Sequence, residues 1–118
     1  MSPERAKVII IDDHRLYIDS LSESLRQEGH HVQGTATSVV EGEKLIDATE
    51  ELDVALIDGN LDQFSAGGED GEGLARRVRE KFPEAKVISI SREIKKWSDS
   101  QIVKTVGSSA VAEEVTRI

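Results

Sequence analysis

The chain has 118 residues, no cysteine, and 15 basic against 23 acidic residues, for a formal net charge of -8. That size suits a single domain over 1–118, without a disulfide scaffold or thiol chemistry. The acidic balance argues against direct nucleic-acid contact, which needs a basic face, and no apolar run approaches the ~20 residues of a membrane span. Met1-Ser2-Pro3-Glu4-Arg5 lacks the apolar core of a signal peptide, so a cytoplasmic domain is expected. Tyr17, Phe64, Phe82 and Trp97 are the only Phe, Tyr or Trp residues, which leaves aliphatic side chains to fill the core.

Residues 7–12 read as a first strand, Val8-Ile9-Ile10-Ile11 running into Asp12-Asp13. The segment from His14 to Glu28 carries Ile18, Leu21 and Leu25 at helical spacing, and Gly29 can close that helix. His30 to Thr35 reads as a weaker strand at a sheet edge. Ser38-Val39-Val40-Glu41 has the form of a capping box, after which Val39, Gly42, Ile46 and Thr49 share one helical face. Asp53-Val54-Ala55-Leu56-Ile57-Asp58 is a short unbroken apolar run ending in acid, the form of a strand covered on both faces.

A polar stretch rich in Gly, Asp and Ser follows from Gly59 to Asp70 and reads as a mobile loop. Asp70 can cap a helix whose inner face is Leu74, Val78 and Phe82, with Pro83 just past its end. Val87 to Ser91 is a fourth strand and Gln101 to Lys104 a short fifth. Ser108 or Ser109 can cap a last helix with Val111, Val115 and Ile118 on one side. Strands alternating with helices predict an α/β domain with a parallel sheet.

In such sheets ligands bind outside the carboxyl ends of the strands. The chain gathers Asp12 and Asp13, Asp58, Ser91 and Lys104 at those ends. Carboxylates held together repel unless a cation joins them, and a hard cation with oxygen ligands, Mg2+ first, fits. Acids, a hydroxyl and an ammonium around one crevice suit phosphoryl transfer, with one carboxylate able to serve as nucleophile. The plain alternative is that Asp12 or Asp13 only caps the first helix. His14, His30 and His31 read as surface or strand-edge residues that the spacing does not bring to the acids.

The ordered set Ile11-Asp12-Asp13-His14-Arg15-Leu16, Ala55-Leu56-Ile57-Asp58, Asp70-Gly71, Val87 to Ser91 and Lys104 resembles the receiver domains of bacterial two-component response regulators. The resemblance implies a doubly wound, flavodoxin-like sheet of five parallel strands in the order 2-1-3-4-5. It implies a phosphoacceptor rather than an enzyme. Asp58 would take a phosphoryl group from a histidine kinase or phosphotransfer protein. Asp13, Asp58 and the Asn60 backbone carbonyl would bind Mg2+ directly, and Asp12 through water. Lys104 would pair with the phosphoryl group and Ser91 would hydrogen-bond it, switching an output domain or protein downstream. Two competing readings are a receiver-shaped interaction module that works without phosphorylation and a Mg2+-dependent phosphohydrolase similar to the haloacid dehalogenases. The latter carry Asp-x-Asp, whereas the acids here are adjacent.

The chain departs from that family's pattern in four places. The loop after Asp58 is longer and has no Pro. Arg92 follows Ser91 where a small residue is usual. Thr105 follows Lys104 where the family has Pro, so a trans bond is expected, because a cis bond before Thr costs ~3–4 kcal/mol. Gln101 stands where an aromatic switch residue is expected. Spacing adds a fifth expectation. Only 92–100 lie between the fourth and fifth strands, with Ile94 and Trp97 as apolar anchors. A crossing between parallel strands normally takes ~10–12 residues or more, so the fourth helix should be absent or reduced to about one turn.

Overall fold

A computed structural model describes residues 6–58, 70–91, 100–103 and 115. The elements in chain order are β1 (Lys7–Ile11), α1 (Arg15–Gln27), β2 (His31–Ala36), α2 (Val39–Ala48), β3 (Val54–Asp58), α3 (Asp70–Lys81), β4 (Lys86–Ser91) and β5 (Ser100–Val103). All the pairings are parallel, and the strands lie in the order β2-β1-β3-β4-β5. The α/β architecture is the one expected from the alternating strands and helices, and the order of the first four strands is the one the family resemblance implies. The expectations for the 59–69 loop, for Arg92 and a fourth helix absent or reduced to about one turn within 92–99, for Lys104 and Thr105, and for a last helix capped by Ser108 or Ser109 lie outside the described residues.

Alternation along the buried strands sorts the core into two layers. Val8 and Ile10, Val54 and Leu56, and Ile88 and Ile90 pack with Ile18, Leu21 and Leu25 of α1 and with Val115. Ile9 and Ile11, Ala55 and Ile57, and Val87 face the other way, onto Ile46 of α2 and Leu74, Ala75 and Val78 of α3. Burying each such Ile or Leu stabilises the fold by about 1.5–3 kcal/mol relative to exposure. An apolar run without polar alternation is what a strand needs when both of its faces are covered.

The helix ends follow local chemistry. Gly29 takes φ 89°, and the turn after α1 donates from Gly29 N–H to Arg26 C=O and from His30 N–H to Leu25 C=O, which satisfies the last carbonyls. The buried His30 ring accepts the Ala6 N–H at Nδ1, 3.1 Å away, tying the end of α1 to the start of β1. Of the expectation that His30 and His31 are surface or strand-edge residues, the surface reading of His30 is corrected, because its ring is buried against backbone, while exposed His31 begins the edge strand β2. Ser38 Oγ accepts the Glu41 N–H, while Glu41 reaches back to the N–H and hydroxyl of Thr37. Those two Thr37 hydrogen bonds hold the Glu41 carboxyl below its usual range. α3 begins at Asp70, within one residue of the start expected from Asp70 as its cap. Leu74 and Val78 form the buried face as expected, and Phe82 packs half-buried beside them.

Two cations join α2 to α3. Lys81 Nζ donates to the carbonyls of Ile46 (3.1 Å) and Asp47 (2.6 Å) at the end of α2, and Arg77 pairs with Asp47 at 3.0 Å. The close approach of α2 to the sheet depends on Gly42. A Cβ there would lie 3.1 Å from Ile11 Cγ2 and 3.3 Å from Leu74 Cδ2. Gly73, by contrast, is exposed on α3, where a Cβ would meet no heavy atom within 4 Å among the described residues.

This contrast predicts opposite signs for two substitutions. Gly42→Val overpacks the interface and should lower stability by about 1–3 kcal/mol. Gly73→Ala removes only backbone entropy and should raise it by roughly 0.4–1 kcal/mol. Urea unfolding of the two variants measures both; a Gly42→Val protein as stable as wild type would contradict the packing described.

Candidate functional site

The register between β1 and β3 builds the site. Ile11 pairs with Ile57, so the next residues, Asp12 and Asp58, leave the sheet side by side. Their parity matches Val8 and Ile10 on one strand and Val54 and Leu56 on the other, which places both acids on the α1 side of the sheet. Both are buried: Asp12 is 0% exposed and Asp58 1%. Asp13 remains partly exposed, with 38% of its side chain open to solvent. One ligand atom from each of Asp12, Asp13, His14 and Asp58 lies within 4.8 Å of all the others.

The chain turns sharply into α1 at this point. Asp12 Oδ1 accepts the backbone N–H of His14 at 2.8 Å, an Asx-type turn two residues long. His14 is the residue before the helix, and no side chain caps α1. Neither Asp12 nor Asp13 is therefore its helix cap. His14 also corrects an expectation. Its Nδ1 lies 3.1 Å from Asp12 Oδ1 and 2.9 Å from Asp13 Oδ1, so the ring, although exposed, does reach the acids. The same tight turn that aims Asp12 into the crevice brings the following ring back over it, which spacing along an extended chain does not reveal.

Tyr17 is a second residue that sequence reasoning missed. It lies three positions after His14 on α1, hence on the same face of the helix, half-buried against the α1-side core. Burial pushes its phenol above the ordinary range, and the charges of Asp12 and then Asp58 push it further. Tyr17 therefore senses the electrostatic potential of both acids.

The other expected site residues stand as follows. β4 carries Ile90 beside Asp58, and Ser91 is the next residue, with its backbone paired to Val103 of β5. Lys104 follows Val103 directly in sequence but, like Asn60, lies outside the described residues. The donor set suits a hard divalent cation: three carboxylates close together, two of them buried at the ends of β1 and β3.

Residues 8–111 match the family model described as the response regulator receiver domain. The chain belongs to that family. The receiver is also similar to solved structures. One is a CheY-like response regulator receiver domain protein from Methanospirillum hungatei, 22% identical with a TM-score of 0.78, covering 96% of this chain and 92% of that one. Another is the signal receiver domain of NarL from Mycobacterium tuberculosis, 25% identical with a TM-score of 0.77, covering 98% and 96%. A third is a response regulator protein from Burkholderia pseudomallei with a phosphorylated aspartic acid, calcium ion and citrate, 20% identical with a TM-score of 0.73, covering 95% and 71%. A search of curated proteins returns no match to the chain. Among the described residues, no helix of the receiver is long and apolar enough to cross a membrane.

Tyr17 is the chain's only tyrosine, so its ionisation can be read directly by ultraviolet titration. The midpoint should lie above the ordinary phenol value of about 10. A phenol held protonated by the fold contributes stability that is complete below that value and is lost as pH rises toward the raised one. Asp58→Asn, which removes one of the two charges, should bring the midpoint part of the way down. A wild-type midpoint at the ordinary value would contradict the placement of Tyr17 beside the acids.

Proposed function

We propose that this receiver accepts a phosphoryl group on Asp58 from a histidine kinase or a phosphotransfer protein and passes the signal to an output domain or protein. The observation that supports this most is the pairing of Ile11 with Ile57, which brings the buried Asp12 and Asp58 together with Asp13 at one end of the sheet. Gathering three acids at the ends of two buried strands serves a common charge-handling centre. It gives no advantage to a module that only docks onto partners.

An Asp58 carboxylate oxygen attacks the phosphorus of a phosphohistidine. The new P–O bond forms as the P–N bond breaks, and the imidazole leaving group takes up a proton. The product is an aspartyl phosphate, with no net turnover, so the domain acts as an acceptor rather than an enzyme. Mg2+, when bound, neutralises the phosphoryl oxygens against the surrounding acids. Asp13 and Asp58 with the Asn60 backbone carbonyl would hold it, and Asp12 would do so through water. Asp12 is fixed for that role by the His14 N–H on its Oδ1. Lys104 pairs with the phosphoryl group and Ser91 hydrogen-bonds it. The net charge of -8 fits a partner other than nucleic acid.

Incubation with an acyl phosphate and Mg2+ should add one phosphoryl mass to the chain, and Asp58→Asn should abolish the addition. Undiminished labelling of that variant would overturn the assignment. Mg2+ should also raise thermal stability, by roughly 2.7 kcal/mol at a hundredfold excess over its dissociation constant, and Asp13→Ala should lose that response. An equal response in both proteins would place the ion elsewhere on the acidic surface.

A further inference from the structure

We propose that His14 is a nitrogen ligand of the divalent cation in this acid cluster and gives the site an affinity for first-row transition ions that carboxylates alone do not supply. The inference rests on reading the cluster as a divalent site. It adds a ligand that the expected set of Asp12, Asp13, Asp58 and the Asn60 carbonyl does not contain.

The distances carry it. Octahedral ligands at ~2.1 Å from a metal lie ~3.0 Å from their neighbours and ~4.2 Å from the ligand opposite. Nδ1 of His14 is 3.1 Å from Asp12 Oδ1 and 2.9 Å from Asp13 Oδ1, the spacing of adjacent vertices around one ion. With Asp58 included, the four donors lie within 4.8 Å of one another, a little wider than the ~4.2 Å across an octahedron, so the set would close slightly around an ion. A ring nitrogen carries one hydrogen and can direct it well at only one oxygen, whereas a shared cation satisfies nitrogen and both oxygens together. Asp12 Oδ1 already accepts the His14 backbone N–H, so the turn that fixes this oxygen also fixes the start of the His14 side chain. The His14 side chain is 64% exposed, so its ring can aim a lone pair inward without disturbing the core.

Ligand chemistry then sets the selectivity. Carboxylate and carbonyl oxygens suit Mg2+, Ca2+ and Mn2+, while imidazole raises affinity for Co2+, Ni2+ and Zn2+. A site with one imidazole among oxygens should bind Ni2+ far more tightly than Mg2+, and most of that difference should belong to His14.

Calorimetric titration of the whole chain with Ni2+ and with Mg2+, at one fixed pH, tests this in wild type and in His14→Ala. Because the side chain is exposed, the variant should fold, and its unfolding curve checks that. The expected result is a loss of at least about tenfold in Ni2+ affinity, with Mg2+ affinity changed by less than about threefold. With Co2+ as the probe, the visible absorption band of the wild-type complex should shift in the variant, because a nitrogen ligand has been lost. Equal losses for Ni2+ and Mg2+, or an unchanged Ni2+ affinity and Co2+ spectrum, would overturn the proposal and leave the phosphoacceptor reading standing. A wild-type chain that binds none of the three ions would overturn this proposal and the divalent reading together.

Discussion

Repulsion among the carboxylates at the ends of β1 and β3 is the constraint on which the rest of the structure turns. Two ionised carboxylates within 4.8 Å repel by about 3–4 kcal/mol at an effective dielectric of 20. Left to themselves, such groups would move apart into water. They cannot, because each follows a strand whose apolar residues are fully buried on both faces, from Val8 to Ile11 and from Ala55 to Ile57. Sliding either strand by one residue would turn its whole apolar set from one layer to the other. The core therefore fixes the positions of the acids, so a cation or a change in charge at Asp58 acts on groups that cannot separate.

The layering decides which residues read that charge. Odd-numbered positions of β1 face α2 and α3, and even-numbered positions face α1, so the charge at Asp12 and Asp58 is presented to α1. His14 and Tyr17 occupy the first turn of that helix and its approach. The opposite layer is organised by a different device. Gly42 lets α2 lie close on Ile11, and Lys81 and Arg77 bind the end of α2 to α3. One side of the sheet is thus closely packed and cross-linked, and the other carries the groups that respond to charge.

Much of this was legible in the sequence where local chemistry and buried runs agree. Val54 to Asp58 could only be a strand with both faces covered, and Ser38 with Glu41 marked the start of α2 through hydrogen bonds that then form. Gly29 closed α1 because its positive φ is cheap for glycine alone. The acids Asp12, Asp13 and Asp58 were legible because each ends a strand. What was not legible depends on three-dimensional return. His14 is exposed as expected, but its contact with Asp12 and Asp13 was not legible because it arises from a two-residue turn rather than from helical or strand spacing. His30 looked exposed because its partner, the Ala6 N–H, is 24 residues away in the chain.

The claim that the fold holds mutually repelling carboxylates in place is tested most directly by urea unfolding of wild type and Asp58→Asn in the presence of a chelator. Asn keeps the shape of the side chain and removes one of the clustered charges. The variant should be the more stable protein without cations, with a higher urea midpoint at an unchanged slope, and Mg2+ should add less to it than to wild type. A variant equal to or less stable than wild type in chelator would contradict the claim, because Asp58 would then be held by favourable contacts rather than against repulsion.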